Sequence, residues 1–182
     1  NEYAFLQKKF KLTNQTVVTP KFFRLRPPNF PTIRLSQLAV LYSKEQHLFS
    51  RLIDATTKER LYAIFEVKAS SYWNSHFNFG TTSPQKEKRL TKNFIDLLLI
   101  NTVIPFKFCY AKYQGRDNSE ALLDLAASIS AEKNTVVSYF NTLKPIAKNA
   151  MHTQALLHLK RHYCDNHRCL QCAIGIEILS KN

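Results

Sequence analysis

Apolar residues recur every three to four positions along most of this chain, which predicts a succession of short amphipathic helices. In residues 32–42 the apolar stripe consists of Leu35, Leu38, Ala39 and Tyr42. Thr32 carries the hydroxyl that can cap this helix. The same spacing predicts helices over residues 2–12, 47–53, 90–113, 135–143, 152–163 and 168–179, and two more that open at Thr56-x-x-Glu59 and at Asp117-x-x-Glu120. Few runs other than 16–25 alternate as strands do, so the predicted fold class is all-α, an irregular multi-helix bundle forming a single domain over residues 1–182.

Residues 90–113 are the most hydrophobic stretch, and we predict that they form a central helix that is buried nearly all round. Asp96, Asn101, Pro105 and Lys107 interrupt the apolar run, which leaves it too short to cross about 30 Å of hydrocarbon, so we expect no membrane role. We expect Pro105 to kink or divide the helix. Asp96 and Asn101 need partners within the protein, because an unpaired buried polar group costs about 1–3 kcal/mol.

The charge of the chain indicates a class of binding partner. The 182 residues include 26 Lys and Arg against 13 Asp and Glu, a formal net charge of +13. Such a surplus favours anionic partners, either nucleic acid or an acidic protein surface. It is unevenly spread, because residues 1–34 carry a net charge of +6 while residues 117–132 contain acidic side chains and no Lys or Arg.

Basic and aromatic residues interleave in residues 21–31, ahead of a proline-rich elbow. A nucleic-acid groove uses this mixture, with cations for the phosphates and rings for the bases. The residues predicted to contact phosphates are Lys21, Arg24, Arg26 and Arg34. Phe22 or Tyr72 would supply a stacking ring. The alternative interpretation is that the aromatic residues belong to the core and the arginines to a solvated rim.

Three of the four cysteines, Cys164, Cys169 and Cys172, fall within nine residues at a Cys-x4-Cys-x2-Cys spacing. Three thiolates at this spacing can surround a structural zinc ion or an iron–sulfur centre if a fourth ligand is supplied. The candidates for that ligand are His162, His167 and Cys109. Alternatively, Cys169 and Cys172 share a helix face with other apolar residues of 168–179 and are buried thiols, the interpretation that we favour, so that no cofactor is expected. A disulfide or redox role is the third possibility, and in each case we expect the three cysteines to cluster in space.

No complete set of catalytic residues is present in the sequence. It contains no Gly-rich phosphate loop and no Gly-x-Ser-x-Gly elbow, and neither a nucleophile nor a carboxylate stands beside His76. His158 and His162 are four residues apart, as two zinc ligands on a helix would be, but no glutamate follows the first as a metalloprotease requires. We therefore predict no catalytic activity for these residues.

The chain begins with Asn1 and shows no signal-peptide pattern, so we interpret it as a fragment of a longer polypeptide. Four cysteines, three of them clustered, make a poor disulfide framework for a domain of this size. They favour a reducing compartment, which suggests the cytoplasm.

Several motifs of the chain together resemble the C-terminal half of a bacterial family known only as a domain of unknown function. They are Phe23-x-Leu25-Arg26-Pro27-x-Asn29-Phe30-Pro31, Trp73-x-x-His76-Phe77-x-Phe79-Gly80, Asn101-Thr102-Val103-x-Pro105 and Tyr163-Cys164-x4-Cys169-Leu170-x-Cys172-x-Ile174-Gly175. In that family the N-terminal half carries a Gly-Asp and Glu-x-His pattern that resembles restriction-endonuclease-like nucleases. The resemblance implies a helical companion to a nuclease-like domain elsewhere in the polypeptide, and it carries no established activity.

Two functions are consistent with these patterns. The first is a non-catalytic basic helical module that binds nucleic acid and is accessory to the nuclease-like domain. The second is a structural or protein-interaction domain with no nucleic-acid role. Basic residues clustered together would favour the first, and dispersed charge with a large apolar patch would favour the second.

Overall fold

A computed structural model describes residues 2–13 and 17–181, and most of them are helical. The helices are α1 (Glu2–Phe10), α2 (Pro31–Lys44), α3 (Leu48–Asp54), α4 (Lys58–Phe65), α5 (Lys92–Leu98), α6 (Ile104–Tyr113), α7 (Ser119–Ser128), α8 (Thr135–Leu143), α9 (Ala150–Leu159) and α10 (Ala173–Leu179). The one sheet among the described residues is an antiparallel hairpin of β1 (His76–Asn78) and β2 (Thr81–Thr82). The prediction of a predominantly helical fold is thus confirmed.

The chain divides into two compact units. Unit 1 comprises Asn1–Ala39 and Ala69–Lys88, and unit 2 comprises Val40–Lys68 and Arg89–Asn182. The assignment of all 182 residues to a single domain stays a prediction. Residues 17–25, within the predicted strand-like run, form no strand, and the residue that opens this run lies outside the described residues.

Unit 1 has a small core around the start of α2. Ile33 is fully buried with Ala69 and Trp73, and two further rings pack against them. Thr32 does not cap α2 as predicted, because the helix already begins at Pro31. Its hydroxyl donates instead to the carbonyl of Phe77, at 2.7 Å, and so ties α2 to strand β1.

A buried lysine fastens the loop before the hairpin. Lys88 is only 7% exposed, and its ammonium group donates to the carbonyls of Trp73 and Asn74, the latter at 3.0 Å. The same nitrogen lies 4.2 Å from the centre of the Phe77 ring. Burial, with a smaller contribution from the charge of Lys86, lowers the pKa of Lys88 below its usual value. The carbonyl of Lys88 in turn accepts from the buried amide of Gln37, at 2.9 Å.

Unit 2 contains the larger core, to which the predicted apolar stripes contribute. Its buried members include Leu41, Leu61, Ile64, Ile95, Leu99, Leu122, Leu125, Ile129 and Ala150. Leu61 and Leu99 are completely buried, and full burial of a side chain of this size stabilises the folded state by about 1.5–3 kcal/mol. The acidic helix α7 thus joins the core through its apolar stripe, as predicted.

The central helix of unit 2 runs without a break from Lys92 to Tyr113, through a π-helical turn over Leu99–Val103. Pro105 neither divides nor ends it. The N–H of Ile104 donates to the carbonyl of Leu99, five residues earlier. This wider turn makes room for the proline ring, which would otherwise clash with the carbonyl four residues before it.

Burial of the central helix is one-sided, which corrects the expectation that it is buried all round. Leu99, Ile100 and Val103 are buried, whereas Leu97 and Phe106 are exposed. By length and composition alone the helix is apolar enough to cross a membrane, although a single helix of this kind also occurs in the core of soluble proteins. The buried face is consistent with a soluble protein, and the absence of a membrane role and the compartment stay predictions.

The polar residues of the central helix have partners, as predicted. Asp96 accepts a hydrogen bond from the hydroxyl of Tyr62, and burial together with this carboxylate raises the pKa of Tyr62 well above its usual range. Asn101 is exposed and donates to the Leu97 carbonyl, at 2.9 Å. Lys107 is buried, and its ammonium group caps the end of α3 by donating to the carbonyls of Leu52, Ile53 and Ala55. Burial lowers the pKa of Lys107.

The two predicted capping boxes miss the observed helix starts by one residue, while α5 and α9 begin two residues from their predicted starts. Thr57 caps α4, accepting from the N–H of Arg60, whereas Thr56 was expected to do so. Helix α7 begins after Asn118, and Asp117 accepts from Ser119 just before the helix. These shifts are small because an apolar stripe fixes the face of a helix more firmly than it fixes its first residue.

Candidate nucleic-acid interface

The basic segment, defined here as residues 21–26, lies on the surface of unit 1. Lys21, Arg24 and Arg26 are all exposed. Arg24 adopts the left-handed conformation, with φ of 61°, which is uncommon for a residue other than glycine. Arg26 is extended, as the residue before a proline must be, and it leads into a 3-10 turn over Pro27–Asn29. The segment is therefore a bent, irregular strip rather than a helix or a strand.

A chain of aromatic rings anchors this strip to the hairpin. The rings of Phe22 and Phe30 meet edge to face with centroids 5.0 Å apart, and Phe30 meets Phe77 of β1 at 6.3 Å. Phe22 is 37% exposed and Phe30 is partly buried. These two rings thus support the interpretation of the aromatic residues as packing, and they fix the position of the cations beside them.

Phe23 behaves differently from its neighbours. Its ring is 77% exposed, and the guanidinium group of Arg24 lies 5.0 Å from the ring centroid. The sequence prediction selected Phe22 as a stacking ring and did not select Phe23. The left-handed turn at Arg24 is the local feature that accompanies the difference.

Arg34 differs from the other three residues that were predicted to contact phosphates. It is partly buried, and its guanidinium group donates to the side-chain oxygens of Gln37, at 2.9 Å, and Asn29, at 2.6 Å. Burial lowers its pKa. Arg34 therefore links the 3-10 turn to α2, and its guanidinium group is occupied by hydrogen bonds within the protein.

The hairpin carries a second aromatic group. Tyr72, one of the two predicted stacking rings, already stacks on His76, with centroids 4.1 Å apart and planes 8° from parallel. The Nδ1 of His76 lies 2.9 Å from the Tyr72 carbonyl and acts as a donor there, since a carbonyl can only accept. The hydroxyl of Ser75 also lies 3.1 Å from this nitrogen.

Phe79, which sequence reasoning did not select, is the most exposed ring of the hairpin. It is 75% exposed at the turn between the strands, next to Gly80, whose φ of 72° forms that turn. Its ring meets Trp73 at 5.1 Å and Tyr72 at 6.0 Å. The Phe79-Gly80 pair was the available signal, because a glycine with positive φ places its neighbour at a hairpin tip.

Positive charge is concentrated in unit 1. Its 59 residues contain nine Lys and Arg against two acidic residues, a net charge of +7. The 123 residues of unit 2 contain 17 Lys and Arg against 11 acidic residues, a net charge of +6. Unit 1 therefore carries more than half of the surplus on a third of the chain.

The cysteine segment differs from the buried-thiol interpretation. Cys164 and Cys169 are exposed, Cys172 is buried, and all are free thiols. The predicted helix over 168–179 is shorter, because Cys169–Gln171 forms a 3-10 turn and α10 begins only after the extended Cys172. Within the described part of the chain no group of three or more His, Cys, Asp or Glu residues is arranged to hold a metal ion. Metal binding at Cys164, Cys169, Cys172 and His162, and the clustering of the three thiols, stay predictions.

The histidine pair predicted on one face is present. The rings of His158 and His162 stack with centroids 4.3 Å apart, where α9 passes into a π-helical turn over Lys160–Cys164. Both residues are exposed. Two imidazoles alone do not complete a zinc site, which needs three or four protein ligands.

Comparison with known proteins gives one match. The model of a family described as a protein of unknown function, DUF2851, matches residues 1–135. The matched range takes in the basic segment, the hairpin and the central helix, and it ends at the first residue of α8. No curated protein and no solved structure matches the chain.

Proposed function

The chain belongs to the DUF2851 family of proteins of unknown function, and we propose that its unit 1 binds nucleic acid without itself catalysing a reaction. The observation that carries the proposal is the net charge of +7 on the 59 residues of unit 1. Phosphate contacts dominate the affinity of proteins for nucleic acids, and they need exposed cations at fixed positions. Lys21, Arg24 and Arg26 meet that need, since they are exposed on a strip anchored by rings.

Contact with phosphates alone predicts weak binding with little sequence preference. Three contacts on duplex DNA, through Lys21, Arg24 and Arg26, give a slope of log K against log salt of about −2.7, from about −0.9 per phosphate. A fourth contact through Arg34 would steepen the slope to about −3.6. The measured slope therefore reports whether Arg34 leaves its bonds to Asn29 and Gln37 when nucleic acid binds.

The test is a salt titration of binding, followed by the fluorescence anisotropy of a labelled 20-base-pair duplex. We expect the double variant R24Q/R26Q to flatten the slope by about 2 units, because two phosphate contacts are lost. A matched control, R116Q/R168Q, removes two exposed arginines of unit 2 and should leave the slope nearly unchanged. Binding that is absent at low salt, or a control as impaired as R24Q/R26Q, would refute the assignment.

We propose further that the module is accessory to a nuclease-like domain elsewhere in the same polypeptide. The support is the resemblance of the motifs around Phe23, Trp73, Asn101 and Cys164 to the C-terminal half of a family with such an N-terminal half. On this proposal unit 1 raises the local concentration of nucleic acid at the partner domain. R24Q/R26Q should then raise the KM for nucleic acid cleavage by the longer polypeptide and leave kcat unchanged.

The alternative, a protein-interaction domain with no nucleic-acid role, is favoured by one feature of unit 2. A groove of about 530 Å³ lies between the central helix, α7 and α9, and its walls are almost entirely apolar. Phe108 and Leu123 are exposed along it. This alternative takes first place if unit 1 fails to bind nucleic acid in the titration above.

A further inference from the structure

We propose that unit 1 prefers single-stranded over duplex nucleic acid, with the rings of Phe23 and Phe79 stacking on unpaired bases. This inference rests on the proposed function and specifies its substrate class. Cations alone do not distinguish the two forms strongly, because both carry phosphates. Aromatic faces do, because bases in a duplex are already stacked on one another and offer no free face.

The exposure of Phe23 and Phe79 is the first observation. Phe23 is 77% exposed and Phe79 is 75% exposed, although a phenylalanine ring is among the side chains that gain most from burial. Phe30 and Trp73 of unit 1 join its core. Phe23 and Phe79 are also more exposed than Phe5 and Phe10 of α1, which are 63% and 60% exposed.

Ring contacts hold Phe79 in place, which a stacking platform requires. Phe79 meets the buried Trp73 at an interplanar angle of 65°, an edge contact that leaves most of the ring surface open. Tyr72 supports the same turn, since its hydroxyl accepts from the N–H of Gly80, at 3.4 Å. Tyr72 itself is less suited to stacking, because His76 already covers one face of its ring.

A cation stands beside one of the two rings. Arg24 lies over Phe23, and an arginine next to a ring can pair with a phosphate while the ring stacks on the adjoining base. The ring chain from Phe22 through Phe30 to Phe77 joins the basic segment to the hairpin. Phe77 precedes Phe79 by two residues. The segment that carries Phe23 and the hairpin that carries Phe79 are thus joined by ring contacts within unit 1.

The test compares binding of labelled single-stranded dT20 and of a 20-base-pair duplex at low salt. We expect the wild-type protein to bind dT20 more tightly, and we expect F23A and F79A each to weaken dT20 binding by about 5- to 150-fold, the range for one lost base stack. Duplex binding should change less than about 2-fold in these variants. R24Q/R26Q should weaken binding of both ligands, because its contacts are to phosphates.

Controls separate stacking from misfolding. Y113A removes a ring of unit 2 that is 88% exposed, and it should leave binding of both ligands unchanged. F79Y keeps a stacking ring and should retain the dT20 affinity. Because Phe79 contacts Trp73 directly, the melting temperature and the far-ultraviolet circular dichroism of F79A, rather than Trp73 fluorescence, report whether the variant stays folded.

The outcomes distinguish this inference from the function on which it rests. Duplex binding as tight as dT20 binding, or dT20 binding unaffected by both F23A and F79A, would overturn the single-strand preference and leave nucleic-acid binding standing. Failure to bind either ligand would overturn both proposals. An oligonucleotide with the same phosphates but abasic sites should bind the wild-type protein no more tightly than the duplex does.

Discussion

At the scale of single residues, buried cations hold the loops of this protein in place. Lys88 and Lys107 are both buried, and each donates to several main-chain carbonyls. A hydrogen bond to a charged group contributes about 1.5–3 kcal/mol. The lysines therefore stabilise the folded state through charged hydrogen bonds to the backbone.

Lys88→Met tests this role, since methionine keeps the length and removes the donors. We expect the variant to lose about 2 kcal/mol in the free energy of unfolding, because the charged hydrogen bonds to the carbonyls of Trp73 and Asn74 are lost. Urea denaturation followed by Trp73 fluorescence would measure the loss. Lys86→Met, two residues away and exposed, should change stability by less than about 0.5 kcal/mol. Equal stability of the two variants would contradict the role given to Lys88.

The pKa of Lys88 gives this stability a pH dependence of known sign. Because burial lowers the pKa in the folded state, the unfolded chain binds more protons between that lowered value and the usual value near 10.5. The contribution of Lys88 to stability therefore rises as the pH climbs through that interval. The stability of the Lys88→Met variant should lack this component, which comparison of the two pH profiles isolates.

Residue types predict burial less well than they predict helix faces. The sequence prediction selected Phe22 and not Phe23 as a stacking ring, and it grouped Arg34 with Arg24, yet Phe23 is the more exposed ring and Arg34 is partly buried. Arg34 has Asn29 and Gln37 as partners because the elbow folds back onto α2. No local sequence pattern predicts such tertiary contacts. The sequence therefore indicated the basic segment as a candidate site, whereas the exposure of Phe23 and Phe79 was not predicted.

At the scale of elements, the central helix shows why one turn departs from α geometry. Its residues Ile95, Leu99, Val103, Lys107 and Ala111 are all buried and recur every four positions. In a regular α-helix each step of four residues drifts by about 40°, so the first and last of these would point in directions about 160° apart. The π-helical turn over Leu99–Val103 adds width and keeps them on one face.

This geometry predicts how the helix responds to shortening. Deletion of Thr102, which is exposed, should convert the π turn to an α turn and bring the ring of Pro105 against the carbonyl four residues before it. We expect a loss of about 3 kcal/mol or more in the free energy of unfolding. Combining the deletion with Pro105→Ala should recover most of that loss, because the clash is removed.

Thermal or urea unfolding of the two variants and of Pro105→Ala alone would decide the matter. If the double variant is no more stable than the deletion alone, the π turn serves a purpose other than accommodating the proline. The apolar period and Pro105 were both visible in the sequence. Either a kink or a π-helical turn relieves the clash between the proline ring and the carbonyl four residues before it, so the sequence does not choose between them. Only the packing on both sides of the turn selects the π-helical turn.

The end of the chain illustrates the opposite case, in which a regular pattern misled. Residues 168–179 show a helical apolar stripe, yet α10 starts at Ala173 and buries none of its residues. A Cβ on Gly175 would stand only 2.3 Å from the carbonyl oxygen of Cys169. The 3-10 turn therefore folds directly against the start of α10, and the two cannot form one continuous helix. In the sequence, the only sign of such a close approach between two backbone segments is a glycine.

At the scale of the whole molecule, the net charge of +13 acts on folding and on binding in opposite directions. Like charges repel in the compact state, and salt screens this repulsion. Raising the ionic strength from 0.01 M to 0.15 M shortens the screening length from about 30 Å to about 8 Å. Salt should thus stabilise the free protein while it weakens the complex with nucleic acid.

The expected result is a melting temperature that rises with NaCl over this range. If self-repulsion costs about 1 kcal/mol at low salt, the rise is about 2–4 °C for a chain of this length. R24Q/R26Q, with two fewer positive charges, should show a smaller rise. Adding dT20 at 0.01 M NaCl should raise the melting temperature by mass action, because the ligand binds only the folded state, and 0.15 M NaCl should abolish that increment. A melting temperature that falls with salt in the absence of dT20 would show that ion pairs outweigh the surplus of positive charge. The cations of unit 1 would then be neutralised within the protein and would not be available to a phosphate backbone.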